Sequence, residues 1–291
     1  MERKRLDTRC VCSFGEASSD TAPLKNDRGN DLLRGLDILP NSFIVQLMVG
    51  GMYWMVNGLR ATRDYMKKVC AYVQQDDLFV GSLTVEEHLR FMAKLRMGHK
   101  YSTKDKENRV QDVMNDLGLK DSAKSLIGTR TRRGISGGEK KRLAFASEIL
   151  TSPPILFCDE PTSGLDAFLA FQVITVLKRL AEKKRMTILL TIHQPSSQVF
   201  ELFDRIYLLA EGRVAFCGTQ AEAQEMWTKL KLPPPKNFNP SDHYLTTLSA
   251  KHLKQEYSDR QRVKAICDFY RDSELGQDTR RESRGHQFIS E

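Results

Sequence analysis

At 291 residues, with 40% apolar and 28% charged residues, the chain is long enough for one sizeable core and has an ordinary soluble-domain composition. Its formal charge of +8 is spread over short basic runs (RKR, TRTRRG, two of EKKR, TRRESR) without interleaved aromatics, a solvated-surface pattern that argues against a nucleic-acid partner. No apolar stretch of about 18 or more residues reads as a membrane span, and no hydrophobic leader follows the basic start.

In chain order, residues 1–30 are polar and turn-rich and are expected to be disordered. Two apolar runs, FIVQLMV and MYWMV, flank Gly50-Gly51 and read as strands, the second ending in an Asn57-Gly58 turn. KKVCAYVQQDD predicts a strand over 69–73 that delivers Gln74 and Gln75 to its end. Thr84 opens a capping box with Glu87 and starts a helix whose inner face is Val85, His88, Leu89 and Met92. His88 on that face reads as core or flank rather than as a ligand. Val110, Val113, Met114 and Leu117 share the face of a second helix, which Gly118 stops.

The rest alternates between element types. SGGEKKRLAFASEIL is a helix ended by Pro153-Pro154, ILFC a short buried strand, and DEPTSGLD a turn-rich link. AFLAFQVITVLKRLAEKK is a second helix, TILLTI a buried strand running into His193, and RIYLLAEGRVAFCG a hairpin about Glu211-Gly212. This order argues for an α/β fold, a sheet with helices packed on it and ligands outside the strand ends. From Ala221 onward the chain reads as helical around a PPP loop, with residues 276–291 expected as a disordered tail. The six cysteines show no zinc-like spacing; Cys158 and Cys217 read as small core residues, and the usage suits a reducing compartment.

Three places carry chemistry. ILFCDE ends a strand in Asp159 and Glu160, whose side chains leave on opposite faces. Asp159 is placed to hold magnesium and Glu160 to orient or deprotonate water; two solvated acids are the plain alternative. In ISGGEKKR, Ser136 caps a helix and Glu139 completes the box, while Gly137 and Gly138 open the first-turn amides to close approach, by an anion or by packing. His193 at a strand end is suited to reach a terminal phosphate, or is an edge histidine.

Together, YVQQDD, ISGGEKKR, ILFCDEPTSGLD and TIHQPSS resemble the motif series of an ATP-binding cassette (ABC) nucleotide-binding domain. VQQDDLFVGSLTVEEHL, KKRLAFASE, AEGRVAFCG and NPSDHY narrow the resemblance to the G or White subfamily of half-transporters, over about residues 30–275. The resemblance implies a P-loop NTPase-like ABC nucleotide-binding domain over 31–275, with a helical subdomain at about 84–150, and ATP and Mg2+ as cofactors. It implies that Glu160 and His193 are catalytic and that Asp159 and Gln75 serve the metal. It also implies that Gln75, Ser136, Gly137, Gly138, Glu139 and Asp166 contact nucleotide. The implied partner is a homologous half-transporter subunit or a transmembrane domain, in a dimer that sandwiches two ATP molecules. That places the chain on the cytoplasmic side of a membrane through its partner, or in the cytoplasm alone.

The sequence departs from this family in two respects. FIVQLMVG matches the strand and first glycine of the phosphate loop, but Gly51-Met52 already begins what resembles the strand beyond it. The Gly-Lys-[Ser/Thr] and the helix after it have no counterpart, and no lysine occurs between Lys25 and Lys67. Charge-assisted hydrogen bonds contribute about 1.5–3 kcal/mol each, so losing three costs roughly 5 kcal/mol, or three to four decades in affinity. The expected consequence is an impaired ATPase, as in a truncated isoform or a gene model lacking a segment. The alternative is a non-catalytic module that dimerises with a complete ABC subunit and lends it residues 136–139. Second, nothing resembling the transmembrane half accompanies the domain, so a pore is expected to require another subunit.

Overall fold

The computed structural model describes residues 10–14, 54–56, 59–61, 63–76, 78–129, 131–249 and 256–284. Five strands lie parallel in the spatial order β4 (Cys70–Val73), β5 (Ile155–Cys158), β6 (Thr187–Thr191), β1 (Cys10–Phe14) and β7 (Arg205–Ala210). Strand β8 (Arg213–Gly218) closes the edge antiparallel to β7. Its turn puts Glu211 at φ +48° and Gly212 at φ +70°, as a two-residue hairpin turn of matching twist requires. β2 (Trp54–Val56) and β3 (Leu59–Ala61) pair antiparallel as a separate hairpin, with Val56 opposite Leu59 across the predicted Asn-Gly turn.

The N-terminal expectation needs correction. Cys10–Phe14, within the segment expected to be disordered, is a strand between β6 and β7. The physical reason is the slot itself: two parallel strands on either side leave ladders of backbone donors and acceptors that only another strand satisfies. FIVQLMV, the run the sequence offers as a strand, lies outside the described residues. The strand expected from Val69 begins at Cys70, because helix α1 (Arg63–Val69) runs directly into it.

Helices α2 (Val85–Arg96), α3 (Thr103–Asp116) and α4 (Gly137–Ile149) pack on one another. Thr84 and Ser102 close complete capping boxes on α2 and α3. Val85, Leu89, Val110, Val113, Leu117 and Leu143 are fully buried between the three helices. Gly118, at φ +63°, turns the chain out of α3. Arg96 pairs with both oxygens of Glu148. The Arg109 guanidinium donates to the Ile149 and Leu150 carbonyls, satisfying acceptors left open at the C-terminus of α4.

His88 is buried, as read from the sequence. Its Nε2 lies 3.0 Å from Ser147 Oγ, and that hydroxyl itself donates to the Leu143 carbonyl, which makes Nε2–H the donor. Burial pushes the His88 pKa down, and the Arg96 charge adds to the effect. Above about pH 6.5 both folded and unfolded chains carry a neutral imidazole; below it the unfolded chain takes the proton first, so stability falls. His88→Gln should flatten that part of the pH dependence. Urea midpoints at about pH 7.5 and about 5.5 check it, and an unchanged difference between the two would contradict the assignment.

The loop entering α4 is backbone packed on backbone. Gly128 N–H donates to the Gly81 carbonyl and Ile135 N–H to the Leu126 carbonyl. A Cβ at Gly134 would stand 2.2 Å from the Ile127 carbonyl oxygen, where no side chain can yield. Gly134→Ala is expected to cost about 1–3 kcal/mol in denaturant unfolding. A wild-type midpoint would show that the loop is looser than this packing implies.

Helix α5 (Ala167–Lys184) covers one face of the sheet, and the short α6 (Ser197–Phe200) follows β6. The C-terminal part comprises α7 (Gln220–Lys229), α8 (Pro240–Leu248), α9 (Glu256–Asp272) and α10 (Glu274–Arg284). Trp227 anchors it, with ring centroids 4.5 Å from Tyr244 and 6.1 Å from Phe216, and its indole N–H donates to Thr247. The tail expected from residue 276 is helical through Arg284. Leu275 packs on the core and Thr279 meets the Tyr270 hydroxyl at 3.1 Å, contacts that hold the start of α10 in place. Residues 285–291 lie outside the described part.

Candidate functional site

Parallel strands β4, β5 and β6 end side by side, and the carboxylates follow the central one. Asp159 is held from both flanks: the Tyr72 hydroxyl donates to Oδ2 and the Thr191 hydroxyl to Oδ1, each at 2.8 Å. Thr191 Oγ1 also accepts the Glu160 N–H at 2.8 Å. The backbone of Glu160 turns at φ +41°, a left-handed conformation costing a non-glycine residue about 1–3 kcal/mol. That turn sends its side chain towards Gln75, two residues past the end of β4. Gln75 Nε2 donates to Glu160 Oε2 at 2.6 Å and to Ser163 Oγ at 3.3 Å. Asp159, Glu160, Gln75 and Ser163 thus meet beyond the C-terminal ends of β4 and β5, where the left-handed turn at Glu160 replaces the simple strand alternation read from the sequence.

His193 is exposed two residues beyond β6, and Gln194 after it is again left-handed at φ +44°. It lines a cavity of about 500 Å³ with Thr162, Leu165, Pro195, Asn239 and Asp242. Asn239, from NPSDHY, caps α8 and donates to the Pro195 carbonyl at 2.8 Å, tying that motif to the histidine loop.

The ISGGEKKR segment behaves as a cap. Ser136 Oγ accepts the Glu139 N–H at 3.3 Å, and Glu139 Oε2 accepts the Ser136 N–H at 2.8 Å. Burial works to raise the Glu139 pKa, but hydrogen bonds from Ser122 and Ser136 and the Arg142 charge prevail and hold it low. The glycines have an internal reason as well. A Cβ on Gly137 would lie 3.2 Å from Leu165 Cδ2, and one on Gly138 3.3 Å from Leu169 Cδ2, tighter than ordinary contact. What approaches them within the chain is the link into α5. Ser136 and Gly137 nonetheless remain exposed. Asp166, expected to contact nucleotide, caps α5 by accepting the Leu169 N–H at 2.9 Å.

Tyr72 and Thr191 were not singled out in the sequence. Their signal was available: Tyr72 is the one hydroxyl in β4 and Thr191 is the last residue of β6, each next to the strand end that carries chemistry. Lys141, buried in α4 with its ammonium on the Gln75 carbonyl at 2.5 Å, was hidden inside a basic run read as surface.

This mixed α/β fold resembles that of an ABC-ATPase domain. It aligns with a dimeric, post-hydrolysis structure of the ATP-binding cassette MJ0796 bound to ADP and Pi at a TM-score of 0.51, over 75% of this chain and 88% of that one, with 18% identity. The ABC transporter family model matches residues 46–163, and an ABC-2 type transporter model matches residues 193–266. Protein white of Ceratitis capitata is 52% identical over 215 residues, which is 74% of this chain and 31% of that protein. Protein white of Drosophila melanogaster is 48% identical over 80% of this chain and 34% of its own length, and protein scarlet of the same fly 43% over 74% and 32%. The chain spans about a third of the length of these relatives. The matches support an ABC-transporter nucleotide-binding domain related to White- and Scarlet-type half-transporters. No helix among the described residues is long and apolar enough to cross a membrane.

ATP and Mg2+, which this family implies, are tested by the residues present. Asp159 and Glu160 beyond the end of β5 are the carboxylates available to such a group. Both Asp159 oxygens accept protein hydrogen bonds, and no group of three or more His, Cys, Asp or Glu side chains among the described residues would hold a metal without water or phosphate completing its shell. The sequence supplies no Gly-Lys-[Ser/Thr] for the phosphates. As a self-contained Mg-ATP site the residues do not fit.

Proposed function

We propose that the chain is the nucleotide-binding part of a White-type ABC half-transporter, of the ATP-hydrolysing class, with weak Mg-ATP binding and impaired hydrolysis of its own. One observation carries this reading: an intact carboxylate edge, Asp159 framed by Tyr72 and Thr191 and Glu160 held by Gln75, in a chain whose phosphate loop is missing. In the complete form of the site, Asp159 and Gln75 serve the metal, and Glu160 and His193 handle protons. Ser136, Gly137, Gly138, Glu139 and Asp166 face nucleotide across a dimer with a homologous subunit, which holds the chain at the cytoplasmic side of a membrane. Steady-state ATPase of the chain with a phosphate loop restored tests it: activity should appear on restoration and vanish when Glu160→Gln is added. Activity that survives Glu160→Gln would remove the carboxylate edge from the mechanism.

A second reading has its own support in the exposure of Ser136 and Gly137 at the start of α4. There the chain is a non-catalytic module whose signature face completes another subunit's site. Co-purification with a complete White-type subunit and a changed ATPase rate would favour it; neither effect would eliminate it.

A further inference from the structure

We propose that Lys141 is a positioning residue that fixes Gln75, and through it the Glu160 carboxylate, to helix α4. The inference rests on the reading of Gln75 and Glu160 given above. Lys141 lies in α4, five positions after the capping Ser136, and is only 5% exposed. Its Nζ donates to the Gln75 backbone carbonyl at 2.5 Å. An ammonium is costly to withdraw from water unless it is hydrogen-bonded, and a methionine would fill similar space without that cost. The amine is therefore better explained by what it holds than by packing.

What it holds is a residue with no ladder of its own. Pairing of β4 with β5 ends at Val73 opposite Cys158, so Gln75 lies beyond the sheet, exposed, with its side chain on Glu160 and Ser163. Fixing the carbonyl of Gln75 fixes the origin of the side chain that grips Glu160. The same 13-residue helix presents Ser136 and Gly137 at its N-terminus. A shift of α4, imposed at its exposed end by a partner or an anion, is thereby transmitted through Lys141 to the carboxylate edge. One rigid element links the face offered to another subunit with the chemistry kept by this one.

The test is NMR of the whole chain, following the Gln75 side-chain amide in wild type, Lys141→Met and Lys141→Arg, with urea midpoints alongside. In folded Lys141→Met the Gln75 Nε2 protons should lose their hydrogen-bonded shifts and exchange with solvent faster. Lys141→Arg, which can still donate to the carbonyl, should restore both. Unchanged Gln75 resonances in folded Lys141→Met would overturn the proposal. Should Lys141→Met fail to fold, the wild-type protein decides: a through-hydrogen-bond coupling between Lys141 Nζ and the Gln75 carbonyl carbon supports the link, and its absence overturns it. None of these readouts uses ATP, so the result stands apart from whether the chain binds nucleotide.

Discussion

Inserting a Gly-Lys-Thr phosphate loop with its helix between Gly50 and Gly51 should tighten Mg-ATP binding by about three to four decades. The magnitude follows from restoring roughly three charge-assisted hydrogen bonds, about 5 kcal/mol in all, from the loop amides, the lysine and the metal-holding hydroxyl. The carboxylate edge is already assembled, with Asp159 and Glu160 each engaged by neighbours from both flanking strands or their ends. The insertion thus supplies the half of the site that the sequence lacks. Calorimetric titration of the two forms side by side measures the change. A gain below about tenfold would mean that the missing loop is not what limits binding.

Thr191→Val is expected to be among the most damaging single changes at the site, at about 2–5 kcal/mol in stability. The two side chains are close in shape, so the effect isolates the hydroxyl. Thr191 Oγ1 both accepts the Glu160 N–H and donates to Asp159 Oδ1. Valine leaves a half-buried backbone donor without its acceptor and a carboxylate oxygen without its donor, at a position where Glu160 already holds a left-handed conformation. Thr191→Ser keeps the hydroxyl and should lose far less. Equal denaturation midpoints for the valine and serine variants would show that the hydroxyl holds nothing.

Much of this was legible in the sequence because the relevant forces are local. Thr84 with Glu87 and Ser136 with Glu139 announce their helices by capping chemistry, and both boxes form. ILFC and TILLTI read as buried strands because short continuous apolar runs suit a sheet interior; ILFC is almost wholly buried, whereas TILLT alternates buried and half-buried positions. Glu211-Gly212 announced the hairpin by the backbone conformation it requires. The misses were non-local. Nothing in CVCSF says that it will fill a slot between β6 and β7, because that slot is made by strands almost two hundred residues away in sequence. Helix α10 was missed because Leu275 is its one large apolar residue, and the rest of its hold comes from Tyr270 on the preceding helix. At the site, the acids, Gln75 and His193 stood out by type and position. Tyr72, Thr191 and Lys141 matter only through partners that the fold brings to them. Gly137 and Gly138 make room for close approach, and within the chain it is Leu165 and Leu169 that approach them.

Under the proposed function the chain keeps Asp159 and Glu160 of a nucleotide site but binds Mg-ATP weakly for want of a Gly-Lys-[Ser/Thr] loop. Titration of the purified chain with Mg-ATP tests it most directly. The expected result is no saturation in the micromolar range, with any dissociation constant at about millimolar or weaker. A dissociation constant near or below about 10 μM would contradict the claim and show that residues other than a Gly-Lys-[Ser/Thr] loop carry the phosphates here.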